Sequence, residues 1–251
     1  MDKEFLYDML RTPSVSGHEI ALQKKVIQHM EPVADEILTD ATGDVISVLN
    51  PHAEAKVLLC GHIDEIGFLV TRICEDGMLK VTKAGGIHPV LYLGTHVQVV
   101  CASQILPGVV VTNRTLESKE QVQVEDLFID LGFDSKAECE RYVSIGDPVC
   151  AASEFTELAH GKLAGRALDD RIGAFIILEA LKKAKQKQAA CGIYAATTCG
   201  EETTMRGAYH VATRVQPSCA LIVDVTFASD YPGVSGDASG TVKLGGGAVL
   251  C

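Results

Sequence analysis

The sequence predicts an α/β fold in which a mixed sheet lies between helices and a mostly β module interrupts the chain. Helical patterns and short apolar strands occur together up to residue 65 and again from residue 161, as in layered α/β domains. The intervening segment consists of strand-like runs separated by turn signals. We therefore assign residues 1–65 and 161–251 to one discontinuous domain and residues 66–160 to an inserted β-rich domain.

The N-terminal segment predicts two helices and three strands. Apolar residues at helical spacing predict the first helix over residues 2–10. Ser16 and Glu19 have the spacing of a capping box, which would begin a second helix. The strands are predicted at residues 36–40, 45–49 and 57–61.

From residue 66 onward the predicted strands follow one another closely. Runs such as FLVTRI and THVQVVC are strand-like, and the breaks between such runs fall at EDG, GGIHP and LPG. One helix is expected within this segment, from Ser135 to Val143. After residue 161 the predicted elements are a helix over 170–187, a strand over 191–199, a helix over 205–215 and a strand over 219–226.

The overall composition argues against several classes of protein. Acidic residues number 33 against 22 basic ones, and the net charge of −11 makes a nucleic-acid partner unexpected. No apolar run reaches the ~20 residues that a membrane-spanning helix needs. The nine cysteines form no CxxC pair, which is typical of buried thiols in a reducing compartment. The N-terminus also lacks the pattern of a secretory signal, so we expect a cytoplasmic protein.

The first candidate site is the run GHIDEIG, residues 61–67, at the end of a predicted buried strand. It presents His62, Asp64 and Glu65 together, and open α/β sheets bind ligands at the carboxyl ends of their strands. Histidine is a common metal ligand, and a carboxylate two residues away can hold its other ring nitrogen. A polar turn after a strand would explain the same cluster.

The second candidate is GRALDDRIG, in which Asp169 and Asp170 stand at the start of the predicted long helix. The pair would cap that helix and complement its dipole. Alternatively, Asp169 could bridge two cations, because each of its oxygens can bind one ion. The residues themselves leave both interpretations open.

Two further candidates also follow predicted strands. Glu201 and Glu202 stand between a strand and a helix, where they either complement the helix dipole or bind a cation and accept a proton from water. Asp224 lies within an apolar strand, so it should either lie at the strand end or bind a positive group. Jointly, one histidine and several carboxylates at one rim of a sheet suit a pair of divalent ions such as Zn²⁺ or Co²⁺, which together favour hydrolysis.

These residues resemble those of the TET-type metallo-aminopeptidases, relatives of glutamyl aminopeptidase, some of which carry an endoglucanase label. The resemblance rests on GHIDEIGFLV, GRALDDRIG, GEETTMRGA and LIVDVTFASDYPG, and it runs from the N-terminal helix to Leu250. It implies a metallopeptidase domain and hydrolysis of the N-terminal residue of peptides by a water that two metal ions activate.

The resemblance also implies a set of metal ligands. His62, Asp169 and Asp224 would bind one ion, and Asp169 with Glu202 would bind the second. The peptide bond between Asp169 and Asp170 would be cis. Members of the family continue beyond the position of Cys251 and supply a second metal-binding histidine there, so we expect a C-terminal segment with that ligand to be missing from this sequence.

Two catalytic residues and a mode of assembly follow from the same resemblance. Glu201 would be the general base, and Asp64 would orient the metal-binding histidine. The inserted domain, residues 66–160, would pair subunits on the way to a hollow dodecamer, although its loop 113–121 is short for the family. Family members usually have Val and Gly after the paired glutamates, where this chain has Thr203 and Thr204.

Two other classes of function stay open at this point. A catalytically inactive family member would keep the β module for self-association and lack a complete second metal site. A glycosidase would use paired carboxylates that flank a sugar at about 5 to 9.5 Å from each other. Glu201 and Glu202 are adjacent in sequence, which does not suit that geometry.

Overall fold

The structure is a computed structural model, and it describes residues 2–112, 122–152, 155–234 and 240–250. The loop 113–121 lies outside the described residues. The helices are α1 (Lys3–Arg11), α2 (Ile20–Met30), α3 (Lys136–Cys139), α4 (Leu168–Gln186), α5 (Glu201–Thr204) and α6 (Arg206–Val215). The strands are β1 (Glu36–Thr39), β2 (Val45–Leu49), β3 (Lys56–His62), β4 (Gly67–Ile73), β5 (Leu79–Ala84), β6 (His96–Val100), β7 (Ile105–Thr112), β8 (Leu127–Asp130), β9 (Pro148–Ala151), β10 (Thr156–Leu158), β11 (Lys162–Ala164), β12 (Gly192–Thr198) and β13 (Cys219–Ile222).

The first of the two main β structures is a mixed five-stranded sheet with the strand order β1-β2-β12-β3-β13. Strands β12 and β13 pair with β3 in parallel, whereas β2 pairs with β12 antiparallel. Buried residues of α1, α2 and α4 pack on one face of this sheet, and Val211 and Val215 of α6 pack on the other. The predicted α/β class with a mixed sheet between helices is therefore confirmed.

A closed six-stranded barrel, β4-β5-β8-β7-β6-β9, stands between β3 and α4 in the chain. Its interior is apolar and includes Phe68, Leu127 and Ile129, which are fully buried. The first and last barrel strands are neighbours, since Phe68 pairs with Val149. The chain thus enters and leaves the barrel at adjacent points.

Three expectations for local structure are wrong. Helix α2 begins at Ile20 with Glu19 as its N-cap, and the Glu19 carboxylate accepts hydrogen bonds from the amides of Gly17 and Gly200 instead of forming a capping box. Of the helix expected over 135–143, only Lys136–Cys139 is α-helical. The last strand ends at Ile222 and not at residue 226, because strand length depends on ladder partners that the sequence does not reveal.

The division of the chain into two domains stays a prediction. All six barrel strands lie within residues 66–160, while the small β10–β11 hairpin crosses the expected boundary. Among the residues described, no helix is both long enough and apolar enough to cross a bilayer. The described cysteines are all free, and five of the eight are buried, as expected for thiols that pack as small apolar groups.

Candidate metal centre

The parallel pairing of β3 with β12 brings the first and third candidate segments together. His62 is the last residue of β3 and pairs with Thr198, the last residue of β12. Glu201 and Glu202 follow three residues later, at the start of α5. Their meeting follows from the rule that the carboxyl ends of parallel strands share one edge of a sheet.

His62 is buried and lies between two carboxylates. Its Nε2 atom lies 3.0 Å from Asp169 Oδ1, and its Nδ1 atom lies 3.2 Å from the Asp64 carbonyl oxygen and 3.4 Å from Asp64 Oδ1. Asp64 is fully buried, whereas the Asp169 side chain is 59% exposed. One ring nitrogen therefore faces the protein interior and the other faces the open side of the rim.

Asp224 completes a group of three candidate ligands. One ligand atom from each of His62, Asp169 and Asp224 lies within 4.8 Å of the others, which is a separation that one bound ion could span. Asp224 is exposed and lies two residues beyond the end of β13. Of the two alternatives from the sequence, the structure supports a position past the strand end, so the charge is not enclosed in an apolar strand.

The paired aspartates at the start of α4 play different parts. The Asp169–Asp170 peptide is cis, as the resemblance implied. Asp170 Oδ1 accepts a hydrogen bond of 3.0 Å from the Gly173 amide, which is the geometry of a helix cap. Its Oδ2 atom is buried without a hydrogen-bond partner among the described residues, and burial raises the pKa of Asp170 to about 7.

Asp64 links the histidine to the paired glutamates. Its two carboxylate oxygens accept hydrogen bonds from the backbone amides of Glu201 and Glu202, at 3.1 and 3.2 Å. Burial opposes its ionisation, but the hydrogen bond and charge of His62 and the hydrogen bond from the Glu201 amide hold the pKa of Asp64 below its usual value. The Glu201 carboxylate lies 3.8 Å from His62 Nε2, the atom that Asp169 also contacts, so three of the four candidate segments meet at this atom.

The electrostatics of the rim favour a bound cation. Burial and the nearby Asp169 charge raise the pKa of Glu202 to about 7, and burial also raises the pKa of Glu201. Burial alone would lower the pKa of His62, but hydrogen bonds to Asp169 and Asp64 raise it to about 11. The carboxylates thus attract a positive charge, which a divalent ion would supply in place of the histidine proton.

Glu65 belongs to the same predicted cluster, but its carboxylate pairs with two arginines. Its carboxylate receives hydrogen bonds from Arg166 Nη1 at 2.5 Å and from Arg171 Nη2 at 2.7 Å. Arg171 is fully buried and also donates to the Met9 carbonyl at 2.7 Å. Sequence reasoning missed this ion pair, although both arginines stand in the GRALDDRIG run.

A second group of candidate ligands lies away from this rim. Ligand atoms of Asp40, Asp44 and His210 come within 4.8 Å of one another. Arg214 Nη1 lies 3.6 Å from the Asp40 carboxylate, so a positive charge already stands beside the group. This arrangement fits a divalent ion less well than the rim does, because the arginine would repel it.

The two threonines that depart from the family pattern are accommodated in a helical turn. Thr203 and Thr204 are the last residues of α5, and the hydroxyls of both lie 3.4 Å from the Gly200 carbonyl oxygen. Met205, which follows them, takes the left-handed conformation with φ of 56°. Met205 is thus the C-cap residue that ends α5.

A family profile described as M42 glutamyl aminopeptidase matches residues 43–251. The chain belongs to this family. Lysyl aminopeptidase of Pyrococcus furiosus is 30% identical over 91% of this chain and 67% of its own length. The crystal structure of a TET aminopeptidase from a marine sediment Thaumarchaeota archaeon superposes with a TM-score of 0.88 and 31% identity, over 93% of this chain and 68% of that one.

A third relative is known for its assembly. The TET1 peptidase of Pyrococcus horikoshii, which can assemble into a tetrahedron or a large octahedral shell, matches with a TM-score of 0.84 and 32% identity, over 97% of this chain and 72% of that one. Membership of the M42 family supports an aminopeptidase function and confirms the resemblance seen in the sequence. The donor groups at the rim are candidate ligands for a metal ion.

Proposed function

We propose that this protein is a dinuclear metallo-aminopeptidase that hydrolyses the N-terminal residue of peptides at the rim formed by β3, α4 and α5. The observation that carries the proposal is the group of His62, Asp169 and Asp224, whose ligand atoms lie within 4.8 Å of one another, with the Glu201 carboxylate 3.8 Å from the same histidine.

The donor groups fit Zn²⁺ or Co²⁺. Imidazole and carboxylate are ligands that these ions accept, and Asp170, next to the proposed ligand Asp169, has a buried oxygen without a hydrogen-bond partner among the described residues. His62, Asp169 and Asp224 would hold one ion, and Asp169 with Glu202 would hold the second. When bound, the two ions would polarise the scissile carbonyl and make a water more acidic.

The remaining tasks fall to residues of the chain itself. Glu201 is exposed enough to meet solvent, at 27% of its side chain, and would accept the proton of the attacking water. Burial raises its pKa, which makes its carboxylate a stronger base. Asp64 would orient the imidazole of His62 through its position beside Nδ1.

The change Glu201→Gln tests the proposal. The side chain keeps its size and loses the group that accepts the proton, so kcat should fall by about 10² to 10⁴ while KM changes little. Bound metal, measured by elemental analysis, should stay at the parent level. The matched change Glu202→Gln should instead lower bound metal. A metal-replete Glu201→Gln enzyme with the parent's kcat would show that Glu201 is not the base.

We also propose that the chain self-associates, as its TET relative can, and that the barrel makes the contact between subunits. Replacing residues 66–160 by a short linker should then yield monomers in light scattering. The chain enters and leaves the barrel at adjacent points, since Phe68 pairs with Val149, so the linker has to span little more than the segment between β9 and residue 161. A linker variant with the parent's mass in solution would contradict the assignment. Peptide substrates and a cytoplasmic location stay predictions of the same kind.

A further inference from the structure

The segment that carries the paired glutamates is held by an unusual row of hydrogen bonds. Four successive backbone amides, those of residues 199–202, each donate to a carboxylate. The amide of Cys199 donates to Asp44 at 2.9 Å, and that of Gly200 donates to Glu19 at 3.1 Å. The next two amides donate to the two oxygens of Asp64.

All three carboxylates are nearly inaccessible to solvent. Asp44 and Asp64 are 0% exposed, and Glu19 is 4% exposed. Enclosing a carboxylate is unfavourable unless hydrogen bonds replace its water, and charged acceptors form stronger bonds to amides than neutral ones do. The fold therefore places three such acceptors along one short segment, where β12 has ended and the first amides of α5 have no partners within their own helix.

We propose that Glu19 and Asp44 are positioning residues that fix the backbone of residues 199–202 and thereby set the places of the Glu201 and Glu202 side chains. The inference rests on the proposed function of those two glutamates. Glu19 precedes α2 and Asp44 precedes β2, so neither belongs to the elements that carry the candidate ligands.

Glu19 holds the segment together with its neighbours in the loop before α2. Its carboxylate accepts a hydrogen bond of 2.7 Å from the Gly17 amide and lies 3.8 Å from Arg206 Nη2. From the same loop, the Ser16 hydroxyl lies 3.1 Å from the Thr203 hydroxyl. One loop thus contacts both ends of the stretch from residue 200 to residue 203.

Asp44 holds the segment at Cys199, where the surroundings are closely packed. A Cβ atom added to Gly207 would lie 2.5 Å from Asp44 Oδ1 and 2.7 Å from the Cys199 amide nitrogen. A Cβ atom added to Gly200 would lie 2.6 Å from the Arg206 guanidinium. Because the segment is closely packed at these glycines, we expect a change in either carboxylate to shift its backbone.

Such a movement would matter for chemistry. A general base acts only within hydrogen-bond reach of the proton it removes, and misplacing a reacting group by about 1 Å can lower the rate about 10²-fold. Groups that orient metal ligands typically change metal affinity or activity by about 10- to 100-fold when they are removed. Glu19 and Asp44 should act at this level without touching the substrate.

Two substitutions at Glu19 separate positioning from charge. Glu19→Gln keeps an oxygen that can accept from the Gly200 amide, whereas Glu19→Met has similar length and no acceptor. In the full chain with added Zn²⁺, we expect Glu19→Met to lower kcat about 10- to 100-fold with little change in KM, and Glu19→Gln to restore most of it. Glu54→Met, at an exposed site before β3, is the control for loss of one acidic group.

Amide hydrogen exchange supplies a readout that does not depend on turnover. In the metal-free chain, the amides of residues 199–202 should exchange faster in Glu19→Met than in the parent, and at the parent's rate in Glu19→Gln and Glu54→Met. If exchange in this segment is unchanged in Glu19→Met, the positioning role is wrong. Faster exchange with unchanged Zn²⁺ affinity and kcat would also overturn it, because the segment would then move without effect.

Gly207→Ala tests the Asp44 side without removing the buried carboxylate. Its methyl group should separate Asp44 from the Cys199 amide and speed exchange of that amide, with a matching loss of Zn²⁺ affinity or kcat. Parent-like exchange and affinity in this variant would remove Asp44 from the proposal. If a parent that binds two Zn²⁺ ions per chain hydrolyses no peptide, the proposed function fails, and exchange together with Zn²⁺ affinity still decides whether these carboxylates position the segment.

Discussion

Two adjacent residues after β3 meet opposite electrostatic surroundings. The Glu65 carboxylate faces two guanidinium groups, those of Arg166 and Arg171, at 2.5 and 2.7 Å. Asp64, one residue earlier, belongs to a rim in which several carboxylates surround the single imidazole of His62. The first region balances its buried charge with the protein's own cations, and the second leaves negative charge for a ligand to balance.

The difference shows which buried charges hold the fold together and which prepare a site. Glu65 also accepts from the Ser14 amide at 2.9 Å, so its hydrogen bonds connect the N-terminal segment to α4. The rim carboxylates instead have raised pKa values at Glu202 and Asp170, both to about 7 and both chiefly because of burial. Removing one partner from the balanced region should therefore destabilise the fold. The rim, in contrast, should tolerate the loss of one carboxylate when no metal is present.

The largest expected effect is on stability at the balanced region. Glu65→Leu would leave Arg171 buried without its partner, and breaking such a pair costs about 3–5 kcal/mol of unfolding free energy. Urea unfolding in a chelating buffer measures this loss. Asp169→Asn at the rim should cost much less under the same conditions, because the Asp169 side chain is 59% exposed and its lost attraction to His62 is offset by weaker repulsion among the carboxylates. A Glu65→Leu protein as stable as Asp169→Asn would erase the contrast between the two regions.

The next effect is the response to metal. Zn²⁺ at 100 times its dissociation constant should raise the unfolding free energy of the parent by about 2.7 kcal/mol. His62→Ala and Asp169→Ala should both reduce this gain and the bound metal, and Asp169→Ala more so, since Asp169 is proposed to touch both ions. Elemental analysis that finds full occupancy in Asp169→Ala would remove its bridging role. The Glu65→Leu protein should gain as much unfolding free energy from added Zn²⁺ as the parent does.

The smallest effect concerns Asp44, a buried carboxylate outside the two regions. Burial raises its pKa, and the Asp40 charge adds to this while His210 opposes it. A carboxyl group with a raised pKa stabilises the fold fully below its unfolded pKa of about 3.9, and this contribution is lost as the pH rises through the higher folded value. Asp44→Asn should therefore flatten the decline in stability above about pH 4, by at most about 1.4 kcal/mol per pH unit. The measurement is urea unfolding at several pH values. If the unfolding free energy of Asp44→Asn falls with pH as steeply as that of the parent, this prediction is wrong.

Much of the rim could be predicted because it depends on one simple rule. His62 ends one strand that the sequence marks clearly and Glu201 follows another, and parallel pairing then brings them together. The roles proposed for Glu19 and Asp44 depend on where two loops pack against a segment more than 150 residues later. The exposed position of Asp224 likewise depends on where β13 loses its ladder partner, which local residue preferences do not determine.

The placement of the barrel has a consequence for the order of folding. His62 and Asp169 touch although 107 residues separate them, and closing a loop of n residues costs about (3/2)RT ln n. Once β4 and β9 have paired, the barrel ends are adjacent, and the effective loop shrinks to roughly 25 residues, which lowers this entropic cost by about 1 kcal/mol. A barrel that folds early would therefore speed the joining of the two halves of the larger domain, so that substitutions in its core slow refolding at a site they never touch.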